Sequence, residues 1–234
     1  DWFHVRASVG KGYRTANVLA ENNFLLASSR KMRIAENLDQ EEAWNTGLNL
    51  SFYIPIAGKE LTLNGEWYYT DFNKQVVVDV DSNPHEVSFY NLEGSSYSNS
   101  FQLEATYPFF RGFTLTAAYR YTDAQTDYRN EAGMIYRMKK PLVSDYKGLL
   151  TASYQTSLKK WQFDVTSQFN GGGRMPLPDT THPLWDSKFK DYTVVNAQVT
   201  RFFRRWSVYV GSENLFDFTQ DTPIIDASNP RGDN

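Results

Sequence analysis

The sequence Thr-Gly-Leu-Asn-Leu-Ser-Phe-Tyr-Ile, residues 46–54, alternates between two sets of side chains. One set is apolar (Leu48, Leu50, Phe52 and Ile54), and the other is small or polar (Gly47, Asn49, Ser51 and Tyr53). Successive side chains of a β-strand point to opposite faces, whereas those on one face of a helix recur about every three to four positions. The stretch therefore predicts a β-strand with one apolar and one polar face.

The same alternation recurs along the whole chain. We count nine such runs, within residues 2–10, 46–54, 61–69, 101–107, 113–120, 150–154, 161–169, 195–199 and 206–210. Their connections alternate between short and long. The short ones are 55–60, 108–112, 157–160 and 203–205; the long, polar ones are 11–43, 73–96, 123–144 and 171–191, and a fifth begins at Asp217.

In an antiparallel meander, every second connection lies at the same end of the sheet. The alternation therefore predicts short turns at one end and long loops at the other, which is typical of outer-membrane barrels. We predict an all-β fold, an antiparallel up-and-down meander of about nine strands that belongs to a transmembrane β-barrel, with residues 1–234 forming one domain. The apolar face would contact lipid, because no helix is predicted to cover it.

The two faces lead to different expectations. Charged residues share the polar face with Asn, Gln and Thr, and we predict that they face the lumen: Glu66, Glu104, Arg120 and Asp164. They could line a path or contact a plug, or they could form a cross-strand ladder of ion pairs. Aromatic residues gather near the short turns and predict an interfacial girdle; in a soluble domain they would instead cap a core.

Composition excludes several classes of protein. No run approaches the roughly 18 consecutive apolar residues of a membrane helix. Cysteine is absent, which excludes disulfides and thiolate sites, and the net charge of -3 gives no reason to expect a nucleic-acid partner. His4, His85 and His182 are scattered, so we predict no transition-metal site, no cofactor and no enzyme activity. Asp79, Asp81 and Asn83 could hold Ca²⁺, although a solvated turn is the simpler explanation.

Three motifs occur in an order that points to one family. They are Gly-Lys-Gly-Tyr-Arg-Thr-Ala-Asn-Val-Leu-Ala-Glu at 10–21, Asn-Leu-Asp-Gln-Glu-Glu-Ala-Trp-Asn at 37–45 and Glu-Asn-Leu-Phe-Asp at 213–217. Together they resemble motifs in the barrel of TonB-dependent receptors, and the loops resemble those of receptors from Bacteroidetes. The chain departs from the family pattern at Asn17 and Gln40, where proline is usual, and at Gly47, where glutamate is usual.

The resemblance implies the C-terminal part of an outer-membrane transporter barrel. Large transporters of this type have about 22 strands and a plugged lumen, so a plug, a TonB-contacting segment, further strands and a closing strand are expected outside these residues. The implied partners are outer-membrane lipid, the TonB system and a scarce, large solute such as a siderophore, cobalamin, glycan or peptide. The candidate ligand-contacting loop residues are Tyr13, Arg14, Tyr90, Tyr97, Tyr128, Arg129, Arg174 and Trp185.

Two other functions remain open at the level of sequence. A passive outer-membrane porin would share the strand pattern but have no plug. A soluble, aromatic-rich β-domain that binds carbohydrate would share the composition.

Overall fold

The structure is a computed structural model that describes residues 2–28, 30–83, 85–130, 132–176 and 187–219. Fifteen strands and two short helical segments follow one another along the chain. They are β1 (Phe3–Arg14), α1 (Val18–Glu21), a 3-10 turn (Asn23–Ala27), β2 (Lys31–Ile34), β3 (Glu41–Ile56), β4 (Lys59–Lys74), β5 (Val76–Asp79), β6 (Glu86–Asn91), β7 (Ser96–Phe110), β8 (Phe113–Arg129), β9 (Ile135–Lys139), β10 (Tyr146–Gln155), β11 (Trp161–Asn170), β12 (Gly173–Arg174), β13 (Lys188–Phe189), β14 (Tyr192–Phe202) and β15 (Ser207–Ser212). No helix in the described part of the chain is long and apolar enough to span a membrane.

Nine strands form the predicted antiparallel meander, in the order β1-β3-β4-β7-β8-β10-β11-β14-β15, and β9 adds a tenth by pairing with β8. The prediction of nine strands is confirmed, and β9 was not expected. The strands run further than the alternating runs, because β3 and β4 pair through Pro55 and Glu60 to a tight turn at Ala57 and Gly58. Both turn residues have positive φ, as a type I′ hairpin turn requires.

The connections sort by length as predicted. We call the end with the turns between β3 and β4, β7 and β8, β10 and β11, and β14 and β15 the short-turn end. At the opposite, long-loop end lie the described residues of four connections, which we call L1 (within 15–40), L2 (within 75–95), L3 (within 130–145) and L4 (within 171–191).

The main sheet has one exposed apolar face. Along β7, for example, Phe101 and Leu103 are exposed while Gln102 and Glu104 between them are half-buried. The same face carries other exposed apolar side chains on neighbouring strands, including Val5, Val9, Leu150, Phe163, Val165, Val199, Val208 and Val210. The described part of the chain provides no second layer over this face.

On the opposite, polar face, side chains form hydrogen bonds from one strand to the next. Thr62, Thr106, Thr116, Thr151 and Thr166 lie side by side on five successive strands. The hydroxyls of Thr106 and Thr116 are 3.0 Å apart, and those of Thr151 and Thr166 are 3.1 Å apart. The buried hydrophobic core lies elsewhere, among the long loops.

Candidate functional site: the cluster of long loops

L1 and L2 fold together into a small domain-like unit. Strand β2 of L1 pairs in parallel with β6 of L2, which also pairs with β5. The sheet and the helical segments of L1 enclose a hydrophobic core of Val18, Leu25, Val76, Val87 and Phe89. We call the described residues of L1–L4 the loop cluster. The polar composition of these loops did not predict the apolar core that L1 and L2 enclose.

Arg14 and Glu41 attach the loop cluster to the main sheet. Arg14 ends β1 and Glu41 begins β3, and the two residues are directly paired. The Arg14 guanidinium contacts Glu41 through Nε (2.6 Å) and also Glu21 in α1 (3.2 Å). The buried Glu41 carboxylate in turn accepts a hydrogen bond from the backbone N–H of Val76 at 3.0 Å. Arg14 was predicted as a ligand contact, and its charge is engaged in this junction.

Arg174 joins L4 to L2 and L3. Its guanidinium makes two parallel contacts with the Asp81 carboxylate, Nη1–Oδ1 at 2.9 Å and Nη2–Oδ2 at 2.8 Å. Its Nε donates to the carbonyl of Lys139 at 2.6 Å. Burial opposes the charge of Arg174, but the hydrogen bond and charge of Asp81 outweigh it and raise the Arg174 pKa. Tyr128, which is only 3% exposed, lies next to this pair.

Asp79 closes a turn in L2. Its Oδ1 accepts hydrogen bonds from the backbone N–H groups of Asp81 (2.9 Å) and Ser82 (3.0 Å). Among the described residues no cluster of three or more His, Cys, Asp or Glu side chains is placed to hold a metal ion. The Asp79 carboxylate closes a turn and the Asp81 carboxylate pairs with Arg174, and both are buried, unlike the side chains of the solvated turn considered for this segment.

Tyr90 and Arg129 lie together beside a cavity. The Tyr90 hydroxyl accepts a hydrogen bond from the Arg129 N–H (3.0 Å) and donates to Asp79 (3.5 Å), and the Arg129 guanidinium lies 5.2 Å from the Tyr90 ring centroid. Burial raises the Tyr90 pKa, so the phenol stays neutral. Arg129 also pairs with Glu93.

The cavity has a volume of about 650 Å³ and opens between L1, L2 and L3. Its charged wall consists of Arg33, Glu36, Asp79, Glu86 and Arg129. Both signs are present, and the Arg33 and Glu86 side chains stand 4.0 Å apart. The site therefore offers hydrogen-bond donors and acceptors around one space, together with the Tyr90 side chain.

Two other predicted loop residues lie away from this cavity. Tyr13 is in β1 on the apolar face, with the Lys11 ammonium 5.2 Å from its ring centroid. Tyr97 is in β7 on the same face, stacks on Tyr69 and donates to Asp123 at 3.1 Å. Trp185 lies outside the described residues. Of the eight candidates, the structure brings Tyr90 and Arg129 to the cavity and Tyr128 and Arg174 to the ion pair behind L2.

The four charged residues of the polar face remain candidates for side chains that face the lumen. The Glu66 carboxylate accepts from Asn49 (2.8 Å), and the Asp164 carboxylate accepts from Ser153 (2.6 Å). Glu104 and Arg120 lie diagonally on β7 and β8. None of the four is in an ion pair with another described residue, so no cross-strand ladder of ion pairs forms here.

Comparison with known protein families gives a match over most of the chain. The family described as "TonB dependent receptor-like, beta-barrel" matches residues 1–215. A comparison with curated proteins finds no match.

Solved structures show the same architecture. The copper transporter OprC superposes with a TM-score of 0.66 at 12% identity, over 92% of this chain and 31% of that one. The ferric enterobactin receptor PfeA from Pseudomonas aeruginosa gives a TM-score of 0.63 at 15% identity, over 93% and 33%. The siderophore receptor PirA from Acinetobacter baumannii gives 0.61 at 15% identity, over 93% and 35%. The chain thus spans about a third of the length of these proteins.

Proposed function

The chain belongs to the TonB-dependent receptor family of β-barrels, and we propose on that basis that it forms part of the barrel wall and the solute-recognising loops of an outer-membrane transporter. The protein takes up a scarce, polar solute at the long-loop end. An energised inner-membrane partner of the TonB type drives passage by rearranging a plug that is supplied by other residues of the protein.

The exposed apolar face of the nine-stranded meander is the observation that carries this proposal. In water such a surface would be strongly unfavourable, at roughly 25 cal/mol for each Å² of apolar area. Hydrocarbon tails remove that cost, and the hydrogen-bonded sheet satisfies the backbone within the bilayer. The short and long connections lie at opposite ends of the sheet, which supports an orientation with the short turns in the periplasm and L1–L4 outside the cell.

The cavity between L1, L2 and L3 is the proposed point of first contact with the solute. Its arginines and carboxylates face a common space, which suits a solute that carries both donors and acceptors. OprC, PfeA and PirA are described as a copper transporter and siderophore receptors, which makes a metal–chelate complex one candidate cargo. Cobalamin, a glycan and a peptide are the others.

Uptake by whole cells tests the transport step. A strain that lacks the full-length protein is compared with its parent for uptake of labelled ferric siderophores, cobalamin, oligosaccharides and peptides, with and without a protonophore. We expect at least one probe to enter only when the protein is present, and only when the membrane is energised. Entry that persists after the protonophore would contradict active uptake and identify a passive channel.

Two substitutions test the cavity. Arg129→Ala and Glu86→Gln should each raise the half-saturating concentration of the transported probe by about tenfold, because each removes one charged contact. Lys188→Gln, which changes an exposed base of L4 outside the cavity, serves as the control. Unchanged uptake in both cavity variants, at equal amounts of protein in the outer-membrane fraction, would exclude this cavity as the contact site.

A further inference from the structure

The short-turn end carries a strong excess of positive charge. Residues 55–60, 108–112, 156–161 and 201–206, which form the four turns and their flanks, contain seven Lys or Arg and one Asp or Glu. The four long connections together contain nine Lys or Arg and twelve Asp or Glu. Each of the four turns contributes at least one base, so the charge is spread along the whole end of the sheet: Lys59, Arg111, Lys159, Lys160, Arg201, Arg204 and Arg205.

These bases have no acidic partner among the described residues. Arg111, Lys159, Lys160, Arg204 and Arg205 are exposed. The contrast with the long-loop end is clear, because L1–L4 contribute many of the ion pairs, such as those of Arg174 and Arg129. The positive charge at the short-turn end is therefore directed outward.

A band of exposed aromatic side chains borders the bases. Phe110, Trp161, Phe203 and Trp206 are exposed on or beside the turns. Phe203 stacks on Trp206 with ring centroids 4.0 Å apart, and Phe110 stacks on Phe113 at 4.8 Å. The Arg201 guanidinium lies over this band, 4.7 Å from the Trp161 ring centroid and 5.4 Å from that of Phe203. The band confirms the clustering of aromatics near the turns that the sequence predicted.

We propose that the bases of the short-turn end bind the headgroups of anionic phospholipids in the leaflet that surrounds this end. Aromatic side chains favour the boundary between hydrocarbon and headgroups, and phosphate groups lie immediately beyond it. Lys and Arg next to such a band stand at the level of the phosphates, where each adds attraction to an anionic surface. An acidic protein would have no need of the adjoining aromatic band, and for this reason lipid is the favoured partner.

This inference rests on the proposed membrane embedding but not on transport, so the test measures lipid rather than uptake. Full-length protein in a neutral detergent is incubated with phosphatidylglycerol or phosphatidylethanolamine of identical acyl chains, and bound lipid is counted by native mass spectrometry. The test variant combines Lys159→Gln, Lys160→Gln, Arg204→Gln and Arg205→Gln. The matched control neutralises four exposed bases of the long-loop end: Lys31→Gln, Lys140→Gln, Lys188→Gln and Lys190→Gln.

We expect phosphatidylglycerol to bind the wild type at least about fivefold more tightly than phosphatidylethanolamine, and this preference to weaken with added salt. The test variant should lose about tenfold in affinity for phosphatidylglycerol, and the control should retain it. In the wild type alone, brominated phosphatidylglycerol should quench tryptophan fluorescence more than brominated phosphatidylethanolamine, which provides a readout that needs no variant.

Equal binding of the two lipids would overturn the proposal, and so would equal losses in the two variants. Binding of soluble polyglutamate that depends on the four bases, with lipid binding unchanged, would also overturn it. That result would assign the surface to an acidic protein.

Discussion

Arg174 and Asp81 are 93 positions apart in the chain, and their side chains form a two-pronged ion pair in which both partners are largely shielded from solvent. The pair connects L4 to L2, and the additional bond from Arg174 to the Lys139 carbonyl brings in L3. Three long loops that extend from different strands are therefore held in one arrangement behind the cavity.

Replacement of Arg174 by Met should loosen the loop cluster without unfolding the main sheet. The change leaves the Asp81 carboxylate shielded from water and without its guanidinium, which in buried pairs costs about 3–5 kcal/mol. We expect hydrogen exchange of the backbone amides in β5 and β6 to accelerate by about 100-fold, whereas exchange in β7 and β8 stays unchanged.

Lys74→Met is the control for this variant. Lys74 pairs with Asp39 at 3.3 Å, but both side chains are more than half exposed, so the change should cost less than about 1 kcal/mol. In a second control, Asp81→Leu combined with Arg174→Met should recover much of the lost protection, because neither charge then remains buried. Equal exchange in the Arg174 and Lys74 variants would refute the role of the ion pair.

Gly47 shows how a departure from the family pattern is accommodated. A Cβ atom at this position would meet the Tyr68 ring at 2.6 Å and the Ser8 hydroxyl at 2.8 Å. Tyr68 is the direct cross-strand partner of Gly47, so its ring occupies the space that a glutamate would need. Gly47→Ala should therefore destabilise the protein by about 1–3 kcal/mol through overcrowding.

The measurement is urea unfolding of the full-length protein in lipid vesicles. Gly65→Ala is the matched control, since Gly65 lies on the neighbouring strand and a Cβ there meets nothing within 4 Å. Tyr68→Ala should cancel most of the penalty of Gly47→Ala in the double variant. Additive effects of the two changes would show that Tyr68 is not the obstacle.

The meander could be predicted because its determinants are local. Alternation such as that of Leu48 and Asn49 reports the two faces of one strand, and strands joined by turns as short as Ala57–Gly58 have only one way to pair. The register then places Glu66 and Asp164 on the polar face without any knowledge of distant contacts.

The loop cluster could not be predicted in the same way, because its contacts join distant segments. Ile34 pairs in parallel with Phe89, and the sequence between them includes two strands of the main sheet. One signal was nevertheless present: Val76-Val77-Val78, followed by Val87 and Phe89, is too apolar for a solvated loop. No sequence pattern around Asp81 or around Arg174 predicts that these two residues pair.

Tyr90 should make the loop cluster sensitive to alkali. Burial raises its pKa above the ordinary value of about 10, so the neutral phenol stabilises the folded cluster. This contribution is complete below about pH 10 and is lost as the pH rises through the higher folded-state value. We expect cleavage of L2 by an alkaline-active protease to rise as the pH increases above about 10 in the wild type, and to rise less in Tyr90→Phe.

Tyr209→Phe, which alters an exposed tyrosine of the main sheet, provides the comparison and should show the same alkaline increase in cleavage as the wild type. If Tyr90→Phe shows the same increase in cleavage as Tyr209→Phe, the alkaline transition belongs to another group.

Leu103 is placed to test whether the apolar face contacts lipid. It lies near the middle of β7 between Gly65 and Tyr119 of the neighbouring strands, and 46% of its surface is exposed. An arginine on the lipid side of a barrel costs about 2–4 kcal/mol at the bilayer midplane and about 0–1 kcal/mol near the interface. Leu103→Arg should therefore lower the free energy of unfolding in lipid vesicles by about 2–4 kcal/mol.

Two further arginine variants distinguish the effect of the sheet face from the effect of depth in the bilayer. Gln102→Arg places the charge on the polar face one residue away, where water or other polar groups can solvate it, and should change stability by less than about 1 kcal/mol. Phe109→Arg places the charge next to the aromatic band, beside the short turns, where the charge itself should cost about 0–1 kcal/mol. The ring contacts of Phe109 with Tyr107 and Phe113 are lost in addition. If Leu103→Arg and Gln102→Arg are equally costly, the apolar face does not contact hydrocarbon, and the proposed membrane embedding fails with it.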